Sequence, residues 1–287
     1  MSFVKRRIDV IISLGKGRLG DVEGPAFTLS GYRVSVDIPV HGPSASTKMN
    51  LKIYGLNQEM MNRLTTIGPV MEERREKNLV TVLAWDDLNV RRLVYEGSIN
   101  TAWANYKRVA DGVLEVEAQV ASAKELKPVP ARSFPGAARV QNIVRDIAAS
   151  LGYGFENHGV DSVLVNPYFR GTDMDQLRSC AQAARISFTI DRGVLSIWPA
   201  SGSRIGDPIA ISADTGLIGY PTFSSDGVQF KTLYSSDLAL GKRLQVISVI
   251  EAAHGEWTIV SLSHKLDAEA PDGSWLSRIT CKRNLDA

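Results

Sequence analysis

Between residues 216 and 266, short runs of β-forming residues alternate with turn chemistry. Val228 to Leu233 lies between Asp226-Gly227 and Ser235-Ser236, Arg243 to Ile250 follows Leu240-Gly241, and Trp257 to Ser263 follows His254-Gly255. Such junctions are hairpin punctuation. Along Trp257–Ser263 the apolar residues Trp257, Ile259 and, after a slip at Val260, Leu262 fall near a period of two, which buries one face. The pattern predicts half-buried antiparallel strands.

The first third reads the same way, with strands expected at Ile8–Leu14, Phe27–Val40, Met49–Leu56, Leu79–Trp85, Arg92–Tyr106 and Val113–Ala121. Gly24-Pro25, Gly31, Gly42-Pro43 and Asp111-Gly112 punctuate them. One helix interrupts at Gln58–Thr66, where Met60, Met61 and Leu64 recur at helical spacing. Strands with one embedded helix pack as a barrel or a sandwich.

Lys127–Gly136 contains Pro128, Pro130 and Pro135. Each proline removes a donor and fixes φ, so this stretch is neither a central strand nor a helix, and a domain boundary is expected there. Beyond it the period changes: Val140, Ile143, Val144, Ile147, Ala148 and Leu151 make a helical stripe that stops at Gly152. A strand at Ser162–Val165 follows. Thr172 and Asp175 then have the spacing of a capping box, opening a second helix striped by Met174, Leu177, Cys180, Ala181 and Ala184. Phe188–Ile190 and Val194–Trp198 flank Asp191-Arg192-Gly193, read as a three-residue hairpin loop. The expected fold is mainly β with a small α/β module: a first β-barrel over 1–126, the module over 136–200, and a second β-barrel over 204–287. Ser201-Gly202-Ser203 is the joint before the last.

A length of 287 residues fits two or three such units on a prior of roughly 150 residues per domain. With 44% apolar and 22% charged residues the chain can bury real cores. Its 33 basic and 31 acidic residues leave a net charge of +2, too small a field to favour nucleic acid or an anionic membrane. Cys180 and Cys281 are too few for a disulfide framework, and Cys180 sits on the apolar helix face. The basic, then apolar N-terminus is interrupted by Asp9 and lacks a small-residue cleavage site, so no secretory signal is expected. No segment reaches the roughly 20 apolar residues that span a bilayer, so no membrane insertion is expected.

Candidate chemistry is sparse. Gly15-Lys16-Gly17-Arg18-Leu19-Gly20 has dinucleotide-binding spacing, but that motif needs a helix starting at it, and Asp21-Val22-Glu23-Gly24-Pro25 leads into another strand. It reads as a hairpin tip, and no cofactor is expected. His41, His158, His254 and His264 lack ligand spacing and read as surface or turn residues, so no metal is expected. Ser44, Ser46, Ser201 and Ser203 sit in no nucleophile elbow. Asp86-Asp87, Glu72-Glu73 and Asp161 supply carboxylates without a pairing that marks a hydrolase. Trp85, Trp103, Trp198, Trp257 and Trp275 read mostly as strand packing. No catalytic residue is expected.

Thr215-Gly216-Leu217-Ile218-Gly219-Tyr220-Pro221-Thr222-Phe223, then Gly227-Val228, Leu240-Gly241 and Gly255-Glu256-Trp257 through Leu262-Ser263-His264, resemble baseplate hub proteins of contractile-tailed bacteriophages. Related hubs form the N-terminal half of type VI secretion spike proteins. Leu51–Leu56 and the 136–200 module share the likeness more weakly. The resemblance implies a homotrimer whose subunits each give two tube-like barrels, making a pseudo-sixfold ring. That ring would join the hexameric tail tube, or a tube-initiator protein, to a trimeric central spike among other baseplate proteins. DNA would pass only as cargo, the protein would be made in the host cytoplasm, and spike or lytic activity would belong to a separate chain. Open barrel edges would be covered by such assembly. Tyr220, Phe223 and Trp275, placed near turns, are the expected apolar interface anchors. The alternative reading is a cell-wall carbohydrate-binding module, from the likeness of 136–200 to small peptidoglycan-binding domains, or another tail-tip component.

Overall fold

A computed structural model describes residues 6–16, 22–40, 42, 44, 46–65, 78–85, 90–107, 112–121, 128–225 and 227–283. Of these, 54% are strand and 14% helix, so the protein is mainly β with a few helices. The chain divides into two compact units, the first from residues 1–39, 47–123 and 264–275, the second from 40–46, 124–263 and 276–287.

The first unit contains β1 (Arg7–Lys16), β2 (Val22–Leu29), β3 (Arg33–Val40), β4 (Lys48–Tyr54), α1 (Gln58–Leu64), β5 (Leu79–Trp85), β6 (Arg92–Asn105) and β7 (Val113–Gln119). Their order in the sheet is β2-β1-β5-β6-β7-β4-β3. Alternate residues are buried, among them Val34, Val36 and Ile38 in β3 and Met49, Leu51 and Ile53 in β4, as a period of two requires. The Asn57 side chain caps α1 by accepting from the Met60 amide at 2.8 Å, and Met61 and Leu64 are buried.

The run Phe27–Val40, read as one strand, is two. Gly31 takes a left-handed φ of 75°, and β2 and β3 lie at opposite ends of the seven-strand order. Flat, those ends would stand about 29 Å apart at ~4.8 Å per strand. The link from Leu29 to Arg33 spans at most roughly 14 Å. The sheet therefore curls. Lys16 faces Val22 across β1 and β2, and residues 17–21, with the rest of the glycine run, are outside the described set. His41, Pro43, Glu72-Glu73, Asp86-Asp87, Asp111 and Asp226 also lie outside it.

The second unit begins its α/β part with β8 (Arg132–Ser133), β9 (Ala137–Arg139), α2 (Val140–Leu151), β10 (Gly154–Asn157), β11 (Val163–Val165), β12 (Tyr168–Phe169), α3 (Asp173–Ala184), β13 (Ile186–Asp191) and β14 (Val194–Pro199). Strands β10, β14 and β13 form a three-stranded sheet, β10 parallel to β14. The α2 stripe is buried as its spacing predicts, and Gly152 ends the helix in the left-handed region. Both halves of the Thr172–Asp175 capping box form. Asp191 pairs with Val194, so the hairpin loop has two residues, Arg192 and Gly193, not three. Both have positive φ, which matches the right-handed twist of the flanking strands.

The proline-rich segment is fastened. Arg132 Nη2 lies 2.7 Å from Asp173 Oδ1, and Arg132 Nη1 donates to Gln176 Oε1 at 2.6 Å. Ser150 donates to Asp173 Oδ2 at 2.8 Å, and Gln176 returns a bond to the Pro130 carbonyl.

The C-terminal strands of this unit are β15 (Ile209–Ile211), β16 (Leu217–Ser224), β17 (Gly227–Leu233), β18 (Arg243–Val246), β19 (Gly255–Ala268) and β20 (Trp275–Lys282). β16, β17, β20 and β19 are neighbours in that order, and β18 joins β19 to β15. The strand expected at Arg243–Ile250 ends at Val246, before the 3-10 turn Glu251–Ala253. The one expected at Trp257–Ser263 extends to 14 residues, and its segment from His264 belongs to the first unit. Trp198 joins the core formed by Leu244, Trp257, Ile259 and Ile279. Gly241 packs on its ring: an added Cβ would come within 2.7 Å of Trp198, and φ is 78°.

Candidate functional site

Strand β16 is an exposed feature of the second unit. It is an end strand, and among the described residues it pairs only with β17. Its register shifts between Ile218 and Thr222, where Gly219 has φ of 70°. Three residues, Gly219 to Pro221, therefore face Phe230 alone. Leu217-Ile218-Gly219-Tyr220-Pro221 is thus part of a bulged strand. A bulge and a proline both blunt a sheet edge, since one bends it and the other lacks a donor.

This corrects the expected setting of the anchor residues. Tyr220 and Phe223 lie within β16, with 70% and 54% of their surface exposed. Phe223 is opposite Val228 and so shares the face whose inner residues form the core. Tyr220 borders a groove of about 600 Å³ on the opposite face, together with Ile218, Gln229, Lys231, Ser263 and Arg278. Among the described residues no carboxylate lines that groove. Lys231 and Arg278 are directly opposite in the β17–β20 ladder. Trp275 opens β20 within the first unit, half-buried, with the Arg6 guanidinium 5.6 Å from its ring.

A second polar cluster went unseen in the sequence. Ser196 donates to Glu156 Oε2 at 3.0 Å, and His158 Nε2 is 3.3 Å from the same oxygen. Burial pushes the Glu156 carboxyl up, but the bonds from Ser196 and His158 and the charge of Arg204 outweigh it and hold it below its ordinary value. The serine donates to the carboxylate rather than to the imidazole, so the three do not line up as a serine–histidine–acid triad. Arg204 is buried 5.2 Å over the Trp198 ring, and burial lowers its pKa. Register signals from β10, which lacks a strong apolar alternation, could not have brought Glu156 to Ser196.

The remaining candidates scatter. His264 is buried within β19, against the surface placement expected of it, whereas His254 is exposed. Ser44 bonds through its amide to the Phe188 carbonyl at 2.7 Å. Asp161 is exposed on a loop. Among the described residues no group of three or more His, Cys, Asp or Glu could hold a metal ion, and no helix is long and apolar enough to cross a membrane. Cys180 and Cys281 are both buried.

Residues 30–272 match the family described as Baseplate hub gp41. The chain belongs to this family. Its role is that of a structural component of a phage tail baseplate. The fold of this hub-family chain is shared with solved structures. A 43 kDa tail protein of prophage MuSo2 from Shewanella oneidensis aligns with TM-score 0.61 and 13% identity over 97% of both chains. A tail protein from Neisseria meningitidis MC58 aligns with TM-score 0.62 and 10% identity, over 98% of this chain and 97% of that one. An Escherichia coli component of the type VI secretion system, described as similar to the T4 tail proteins gp27 and gp5, aligns with TM-score 0.57 and 12% identity, over 88% and 74%. Curated proteins supply no match to the sequence.

Proposed function

We propose that this hub-family chain is a trimeric adaptor, closing into a pseudo-sixfold ring that joins the hexameric tail tube to the trimeric spike. The observation that carries the reading is the family match over 30–272. The curling of the first unit's sheet supports a tube-like barrel over 1–126, and the six C-terminal strands support a second over 204–287, with the α/β module at 136–200 between them. Barrel closure and ring closure are two aspects of one need, since every open edge must find a strand or a cover. Tyr220, Phe223 and Trp275 are proposed as apolar anchors, the first two being well exposed.

The adaptor works by contact, without turnover. The Ser196–Glu156–His158 geometry is consistent with this, because the imidazole does not stand between the serine and the carboxylate as a serine–histidine–acid triad needs. Light scattering of the purified protein at several concentrations tests the ring: a mass of three 31.3 kDa chains, alone or with a spike protein, is expected. A stable monomer that binds neither tube nor spike protein refutes it.

A further inference from the structure

The groove beside β16 has an electrostatic cost that the described residues of its own unit do not relieve. Lys231 and Arg278 are exposed and directly opposite each other, and like charges in that position destabilise a ladder. The side chain of neither has an ion-pair or hydrogen-bond partner among the described residues. Among the described residues the lining around them offers hydroxyls and an amide, from Ser263, Thr280 and Gln229, and no carboxylate. Tyr220 and Ile218 form an apolar rim, 70% and 40% exposed.

We propose that this groove receives an acidic, extended segment of a partner protein, with a carboxylate between Lys231 and Arg278 and an adjoining apolar side chain against Tyr220 and Ile218. Arginine takes a carboxylate through two parallel bonds, and a buried tyrosine edge is a frequent energetic centre of an interface. Pro221 and the bulge interrupt the open edge of β16, so side chains rather than continuous strand addition set recognition. Nucleic acid fits less well. Its affinity comes from neutralising many phosphates, and this groove offers two cations in a chain of net charge +2. The inference rests on the assembly role proposed above only in needing a partner.

Peptide display on the full-length protein, with the K231E/R278E double variant for counter-selection, tests it. Enriched peptides should carry Asp or Glu beside an aromatic or aliphatic residue. A synthesised winner should lose at least about tenfold in affinity on K231E/R278E and several-fold on Y220A, and should weaken as salt rises. K231Q/R278Q, with no charge reversal, should give an intermediate loss and guards against misfolding of the first variant. Enrichment of neutral or basic peptides, failure to enrich any, or equal affinity for wild type and both double variants overturns the proposal. Tighter binding of a single-stranded oligonucleotide of equal charge, lost on the same variants, overturns it in favour of a nucleic-acid groove. The wild-type mass by light scattering decides the ring independently of every one of these outcomes.

Discussion

Arg132→Met should destabilise the second unit more than any surface change, because it strands a charge. Asp173 is only 5% exposed, and Arg132 Nη2 at 2.7 Å is its cationic partner. The methionine keeps most of the aliphatic stem but leaves the carboxylate with the Ser150 hydroxyl. Removing one member of a buried pair costs about 3–5 kcal/mol. For a unit of this size each kcal/mol moves Tm by roughly 2–4 °C, so a drop of about 6–20 °C is expected by calorimetry or by circular dichroism. The same substitution frees Gln176 from its 2.6 Å bond to Arg132. Asp173→Leu placed on top should recover much of the loss, since an apolar pair of similar volume often replaces a buried ion pair without penalty. A drop below about 2 °C for Arg132→Met, or a double variant no better than the single, would show that water already solvates this pair and would refute the reasoning.

Thr172→Ala removes the hydroxyl that accepts from the Asp175 amide at 3.1 Å and should cost about 1 kcal/mol, read as a fall in Tm of a few degrees. Glu156 titrates below its ordinary value in the folded protein. Its stabilising contribution is therefore present above the ordinary carboxylate range and is lost as pH falls through the folded pKa. Glu156→Gln should flatten that acid limb in urea titrations, and an unchanged limb would count against the bonds from Ser196 and His158. Burial pushes the Cys180 thiol up to about 12 and raises Cys281 as well. Both should react with an aromatic disulfide reagent only after denaturation, and prompt native-state reaction would contradict their burial. Gly227→Ala should block folding of the β16–β17 hairpin, because its Cβ would run into the Cys281 carbonyl and φ is 122°. Soluble variant protein with wild-type Tm would disprove it.

Local patterns carried the parts of this fold that local physics decides. The α2 stripe, the Gly152 stop and the Thr172 capping box depend on residues within one or two turns, and each forms as spaced. Period two likewise placed β5 and β17. What escaped depends on partners far along the chain. β10 has weak alternation and is recruited by β14 across 40 residues, Glu156 to Ser196. The bulge in β16 looks like a turn because Gly219 and Pro221 are turn residues, and only a neighbouring strand makes them a strand. Arg132 sits in a proline-rich run that composition marks as a linker, yet its partner is on α3. At the groove, Tyr220 stood out as an aromatic beside breakers, whereas the Lys231–Arg278 juxtaposition exists only in the register of β17 with β20.

The first unit draws on residues up to 123 and then again on 264–275, where β19 lies next to β3 and Asp267 accepts from Ser35 at 2.6 Å. On a ribosome adding roughly 5–20 residues per second, the last strand arrives about 7–28 s after the others. For that interval the nascent chain holds β3 with one side open, in a polysome crowded with identical copies. Timing, as much as sequence, decides whether the strand that completes the unit is its own or a neighbour's.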